Sequence, residues 1–196
     1  MSGQGSAPVT IRSVNPARAA DLRAVAAVAR ATWPVAYRGI LADGIVARHL
    51  RTAYKPAALA ARLGLDGGLF LLAEAQEDAG GRAPRRAVAF CQAGRRLAAP
   101  GEADLWAIYV RPEWQGRGIG RRLVERAALA LPGCRLHVAL AARNLAAAGF
   151  YVALGFRAEG RGYAAALQGT EVEMRSMVRD PSPDTGPTAG GPTAER

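Results

Sequence analysis

Six consecutive residues, Gln115-Gly116-Arg117-Gly118-Ile119-Gly120, carry the strongest chemical signal in this chain. They follow an apolar run, Leu105 to Val110, and lead into a stretch from about Gly118 to Leu131. There Ile119, Leu123, Ala127 and Ala130 recur on one face at helical spacing. A strand therefore turns through glycines into a helix. Glycine lets the main chain turn sharply and approach a ligand closely, and the free N–H groups at a helix start carry partial positive charge. Phosphate oxygens bind at such a place, and Arg117, Arg121 and Arg122 add formal charge beside it.

Three known loops share this outline. A Walker A loop ends in Gly-Lys-Ser/Thr, whereas Gly120 is followed by Arg121 and Arg122 and no hydroxyl is present for magnesium. A dinucleotide fingerprint needs G-x-G-x-x-G and an acidic residue about twenty positions on. Here the glycines stand at 116, 118 and 120, and the matching strand end reads Val138-Ala-Leu-Ala141. At every fixed position the hexapeptide resembles the coenzyme A loop of the GNAT acetyltransferases, Q/R-x-x-G-x-G/A. The lead-in Val110-Arg-Pro-Glu-Trp114 is similar to the V-x-P-x-[YW] of that superfamily, and Leu123 falls where its next helix carries a leucine. A second segment, Asn144-Leu-Ala-Ala-Ala-Gly-Phe-Tyr151-Val-Ala-Leu-Gly-Phe156, resembles its N-x-x-A-x-x-F-Y-x-x-L-G-F. The likeness in element order runs from about Val9 to Val178. One departure is the connection Ala139 to Arg143, which lacks the acidic residue that often precedes the Asn.

The resemblance implies an α/β fold of GNAT type, a mixed six- to seven-stranded sheet flanked by about four helices. It also implies an N-acetyltransferase that uses acetyl-CoA as co-substrate and a primary amine as acceptor, with no metal. The strand edges Ile108, Tyr109 and Val110, and Val138 to Leu140 opposite, would then hold the pantetheine arm, with an amide near Ile108 meeting the thioester oxygen. Gln115, Gly116, Arg117, Gly118, Ile119 and Gly120 would hold the diphosphate. Tyr151 matches the tyrosine that serves the departing sulfur, although a tyrosine so placed also suits a core. Asn144 would bond the pantetheine arm or cap the last helix. For the base there are Glu102 and Asp104 on the strand before the loop, a chain of waters, or His137, which is equally a structural residue. Trp33, Tyr37 and Arg38 either wall the acceptor pocket or pack a helix corner. The alternative to an enzyme is a coenzyme A-binding regulatory domain without chemistry.

These residues need a frame to position them, and the chain is long enough for one. With 196 residues, half hydrophobic and 21% charged, it reads as a globular domain over 9–179, with disordered ends at 1–8 and 180–196. Val9 to Val14 is a strand. Asn15-Pro16 then predicts a helix cap and first helical residue, and Pro34 predicts the end of that helix. A second helical region runs from Ile45 to Tyr54 and restarts at Pro56, ending near Gly64. Leu69 to Glu74 and Ala87 to Ala93, joined by a loop holding Gly80-Gly81, predict an antiparallel hairpin. Arg135 to Leu140 is a strand, Asn144 to Leu154 a helix, and Glu171 to Val178 a last strand.

The net charge of +10 comes almost wholly from arginine, Lys55 being the only lysine, and the arginines are scattered. Coding bias explains this as well as a partner does, and no clustered nucleic-acid footprint is found. Cys91 and Cys134 lack C-x-x-C spacing and fall in apolar runs, as reduced core residues do. No leader and no run of about eighteen apolar residues is evident, so a cytoplasmic protein without membrane contact is expected. A homodimer fits the resemblance, dimers being common in the superfamily.

Overall fold

Apolar side chains at successive positions of Phe70 to Ala73 and Ala87 to Cys91 require a sheet covered on both faces. The computed structural model describes residues 8–63, 68–76 and 84–181. Its strands are β1 (Val9–Ser13), β2 (Gly68–Ala75), β3 (Arg86–Arg95), β4 (Glu102–Val110), β5 (Arg135–Ala141), β6 (Arg157–Leu167) and β7 (Thr170–Arg179). Its helices are α1 (Ala19–Ala36), α2 (Asp43–Ala53), α3 (Pro56–Leu63), α4 (Ile119–Ala130) and α5 (Leu145–Val152), and a short 3-10 turn, Pro112–Trp114, precedes α4. The strands form one sheet in the order β1-β2-β3-β4-β5-β7-β6. Every neighbouring pair is antiparallel except β4 and β5, which run parallel. The expected tails fall outside the described residues but for Pro8, Asp180 and Pro181, and the Gly64, Gly67 and Gly80-Gly81 turns also lie outside them.

Each face of the sheet carries its own core. On one face Leu123, Val124 and Ala127 of α4 and Tyr151 of α5 pack against Val88, Leu105, Leu136 and Val138. On the other, Val25, Val28 and Trp33 of α1, Val46 of α2 and Leu59 of α3 cover Phe70, Leu72 and Phe90. The helices α1 to α3 lie over β2, β3 and β4. Alternation and strand pairing put Ala139 of β5 and Tyr163 of β6 on that same face, and both are exposed.

Several boundaries differ from the sequence reading, each for a local reason. The first helix starts at Ala19, not at Pro16. The Asn15 Oδ1 accepts the Ala17 N–H at 2.9 Å in a side-chain turn, and Arg18 holds the cap position without a side-chain bond. Pro34 lies inside the helix instead of ending it. Trp33 is buried and its indole N–H donates to the Tyr54 hydroxyl at 3.2 Å, while the Tyr37 N–H bonds the Trp33 carbonyl at 3.0 Å. Tertiary packing outweighs the one amide that proline removes. Strand β4 begins at Glu102, three residues before the apolar run, because it is laddered on both sides there. Strand β6, rich in Gly and Ala, was not assigned from sequence and forms by pairing with β7.

The strand-to-helix corner at the start of the chain is held by charge. Arg12 donates to both Asp21 oxygens, at 2.7 and 3.0 Å, and to both Glu74 oxygens, at 2.9 Å each. Asp21 also accepts the Asn15 N–H at 2.9 Å, and this set of bonds, Arg12 foremost, holds its carboxyl below the usual carboxylate range. A depressed pKa stabilises the fold above the ordinary carboxylate range and ceases to do so as pH falls through the folded value. Asp21→Asn is therefore expected to cost about 1–3 kcal/mol in urea unfolding at pH 7, and the gap to wild type should close in acid. A gap independent of pH would refute the account.

Candidate active site

Strands β4 and β5 pair at only three positions, Glu102 with Arg135, Ala103 with Leu136 and Asp104 with His137. Beyond them each keeps its outer partner. Ile108, Tyr109 and Val110 stay laddered to Cys91, Phe90 and Ala89 of β3, and Val138, Ala139 and Leu140 to Met177, Ser176 and Arg175 of β7. The two inner edges diverge, so their peptide N–H and C=O groups face a gap without a strand to bond them. A bulge marks the divergence: Leu105 pairs with Ala93 and Ala107 with Gln92, leaving Trp106 as the extra residue.

The glycine turn stands at the open end of this gap. Arg111, buried, donates through Nε to the Ala87 carbonyl at 2.9 Å and anchors the exit from β4. Gln115 folds back, its Nε2 donating to the Val110 carbonyl at 3.0 Å. Gly116 and Gly118 both have φ of 73°, where a side chain is strained, and open space lies beside each. Gly120 serves packing instead: a Cβ there would come within 3.0 Å of the Phe150 ring. The Arg122 N–H bonds the Gly118 carbonyl at 3.1 Å, so the amides of Ile119, Gly120 and Arg121 have no partner within α4 and present its positive end. Arg117, Arg121 and Arg122 donate to the carbonyls of Glu113, Ala153 and Val9, not to carboxylates, and their charges are uncompensated in those bonds. A groove with free strand edges thus runs into a cationic, amide-rich turn.

Residues 66–158 match the model of the Acetyltransferase (GNAT) domain. Over these residues, just under half of its length, the chain carries the pattern of the GNAT acetyltransferases. Solved structures share its fold. The PaiA N-acetyltransferase of Thermoplasma acidophilum, in complex with coenzyme A, aligns at a TM-score of 0.65 with 21% identity, over 86% of this chain and 98% of that one. The ribosomal-protein-S18-alanine N-acetyltransferase of Escherichia coli aligns at 0.60 with 22% identity, over 89% and 95%. An acetyltransferase of Thermus thermophilus aligns at 0.54 with 22% identity, over 87% and 97%. Among curated proteins none matches the chain.

Tyr151 rises from α5 with its ring edge-on to Phe150 and Phe156, each centroid 5.2 Å away. Burial pushes its phenol well above the ordinary tyrosine value, so it stays protonated and is a donor. The Tyr37 and Tyr109 hydroxyls, 3.3 Å apart, come from the opposite face, yet they and Tyr151 perturb one another electrostatically. Tyr151 thus belongs to the α4 core, and Tyr37 and Tyr109 pack against the α1 core. Asn144 caps α5, its Oδ1 accepting the Ala147 N–H at 3.1 Å.

Glu102 and Asp104 stand where β4 and β5 are still joined, not along the gap. Asp104 is paired with Arg96, at 2.6 and 3.0 Å. Glu102 is joined to His137, the other candidate base: Glu102 Oε2 meets His137 Nε2, while Glu159 of β6 meets His137 Nδ1 at 3.0 Å. Arg135 bridges both carboxylates, at 3.4 Å to Glu102 and 3.3 Å to Glu159, and reaches Asp180 at 2.9 Å. The His137 contact, ahead of Arg135, holds the Glu102 carboxyl below its usual range. Glu159 and Arg135 carried no sequence signal, being assembled only by the strand order.

Trp33 and Tyr37 stack on each other, centroids 4.4 Å apart, and Trp33 stacks on His49 at 4.2 Å. Trp33 thus packs a helix corner, the Tyr37 hydroxyl turns towards Tyr109, and Arg38 is exposed. A cleft of about 350 Å³ opens beside them, lined by Ile40, Leu41 and Ile45 from the α1–α2 corner, by Ala141 and Arg143, and by Thr170 to Glu173. No helix among the described residues is long and apolar enough to cross a membrane.

The glycine turn is testable through strain alone. Gly118→Ala forces a side chain into the left-handed region and should lower the unfolding free energy by about 1–2 kcal/mol, read as the midpoint of a denaturant titration. Gly44→Ala, at an exposed helical position with φ outside that region, should not destabilise. Equal effects at the two positions would sink the argument.

Proposed function

We propose that this GNAT enzyme transfers an acetyl group from acetyl-CoA to a primary amine of a small molecule or peptide, by direct attack in a ternary complex in the cytoplasm. The observation that carries the reading is the gap between β4 and β5, open along both peptide edges and ending at the amides of Gly116 to Gly120. Acetyl-CoA fits the residues present: the free edges suit an amide-bearing arm, and the turn suits a diphosphate. It supplies the activated acyl carbon.

The chain's own groups divide the remaining work. The amides and arginines of the turn bind the anionic end. A peptide N–H near Ile108, on the free edge of β4, stabilises charge on the thioester oxygen as the amine nitrogen bonds to the acyl carbon. Tyr151 donates its hydroxyl proton to the sulfur as the carbon–sulfur bond breaks. The amine's proton leaves through water towards Glu102, which stands behind the closed end of the gap and whose carboxylate His137 and Arg135 keep ionised and oriented. Asp104, tied to Arg96, helps to fix this end of β4.

Thiol release from acetyl-CoA in the presence of an amine panel tests the assignment. Acetyl-CoA that raises the melting temperature but releases no thiol with any acceptor would favour the regulatory-domain reading instead. Tyr151→Phe should lower kcat by roughly a hundredfold with calorimetric affinity for acetyl-CoA retained. Unchanged turnover would remove Tyr151 from the mechanism.

A further inference from the structure

Within β4 one side chain is out of keeping with its neighbours. Ala103, Leu105 and Ala107 are buried, whereas Trp106 between them is 46% exposed. The bulge explains how. Ala103 and Leu105 face the α4 core, and Ala107 and Tyr109 face the α1 core. Alternation from Leu105 puts Trp106 on the α1 side with Ala107, and its exposure agrees, since the α4 side is covered there by the core. Aromatic contacts link Trp33, Tyr37, His49, Tyr54, Phe90 and Tyr109 into one network, and the Trp106 ring takes no part in it. Its indole N–H has no acceptor among the described residues. A lone exposed aromatic is ordinary on a protein surface, so its position must decide.

Trp106 lies two residues beyond Asp104, the last residue of β4 paired with β5. Ala139 lies two beyond His137, the partner of Asp104, and is exposed on the same face. In parallel strands the two are level, one on each lip of the gap at its narrow end. Ala139 is too small to cover the indole, and Glu102, Asp104 and Glu159 stand just behind. A flat ring on one lip and a small residue on the other suit an amine borne on a planar body.

We infer that Trp106 is the specificity-determining platform for the acceptor, stacking on amines whose body is planar and apolar. This rests on the acetyltransferase reading above, and its test separates the two. With saturating acetyl-CoA, 2-phenylethylamine and propylamine are compared as acceptors for wild type, Trp106→Ala and Trp106→Phe. Wild type is expected to favour the aromatic amine by about tenfold in kcat/KM, expressed in KM. Trp106→Ala should abolish that preference while leaving acetyl-CoA affinity unchanged, and Trp106→Phe should restore most of it. A binding readout needs no turnover. Trp33 and Trp114 are buried, at 5% and 4% exposure, so acrylamide quenching reports mainly Trp106, and 2-phenylethylamine should protect it. Preference retained in Trp106→Ala, or quenching unaffected by the amine, overturns the proposal. Protection without thiol release from any acceptor supports the platform and overturns the acetyltransferase reading alone.

Discussion

Three residue pairs hold β4 to β5, and the groove between these strands depends on the pairing stopping there. A parallel ladder carried on to Val110 and Ala141 would satisfy every peptide group and leave no groove. The bulge at Trp106 turns β4 aside, while β3 and β7 keep the outer edges bonded, so divergence does not cost either strand its order. The unpaired edges are thus a local liability held by a well-laddered surround, the arrangement in which strained or unsatisfied backbone persists at functional sites.

Around this gap the polar groups are sorted by place. Cationic groups and helix amides stand at the wide end, where α4 begins, and carboxylates with His137 stand at the narrow end. Burial keeps the Tyr109 and Tyr151 phenols protonated. Cys91, beneath them, has its thiol pushed up to about 12 by the same burial and remains an inert core group. Cations and carboxylates are thus kept at opposite ends of the β4–β5 divergence.

Much of this was legible in the sequence where the signal is local. The turn at Gly116 and Gly118 was readable because its backbone demands glycine, and the amphipathic run of α4 because its core face repeats every turn. Asn144 was readable as a cap, the role it takes. What was not legible depends on distant residues meeting. Glu102, His137 and Glu159 come from three strands, and only the order β4-β5-β7-β6 makes them neighbours. Pro34 misled because the burial of Trp33 outweighs a missing amide, and Asn15-Pro16 misled because Asp21 and Arg12, not a cap, fix the start of the helix. Trp106 stands unmarked within the apolar run Leu105 to Val110, since a bulge has no dependable mark in sequence.

The seven strands amount to two antiparallel blocks, β1 to β4 and β5 to β7, joined by a short parallel seam. Beyond the backbone bonds that seam is fastened by ions, with Arg135 of one block on Glu102 of the other and His137 beside them. The outer arm of the fastening, Asp180 with Arg157, is open to water and is screened by salt, whereas His137 is shielded. The joint between the two blocks is thus partly electrostatic, so the grip of one block on the other weakens as salt screens its outer pairs.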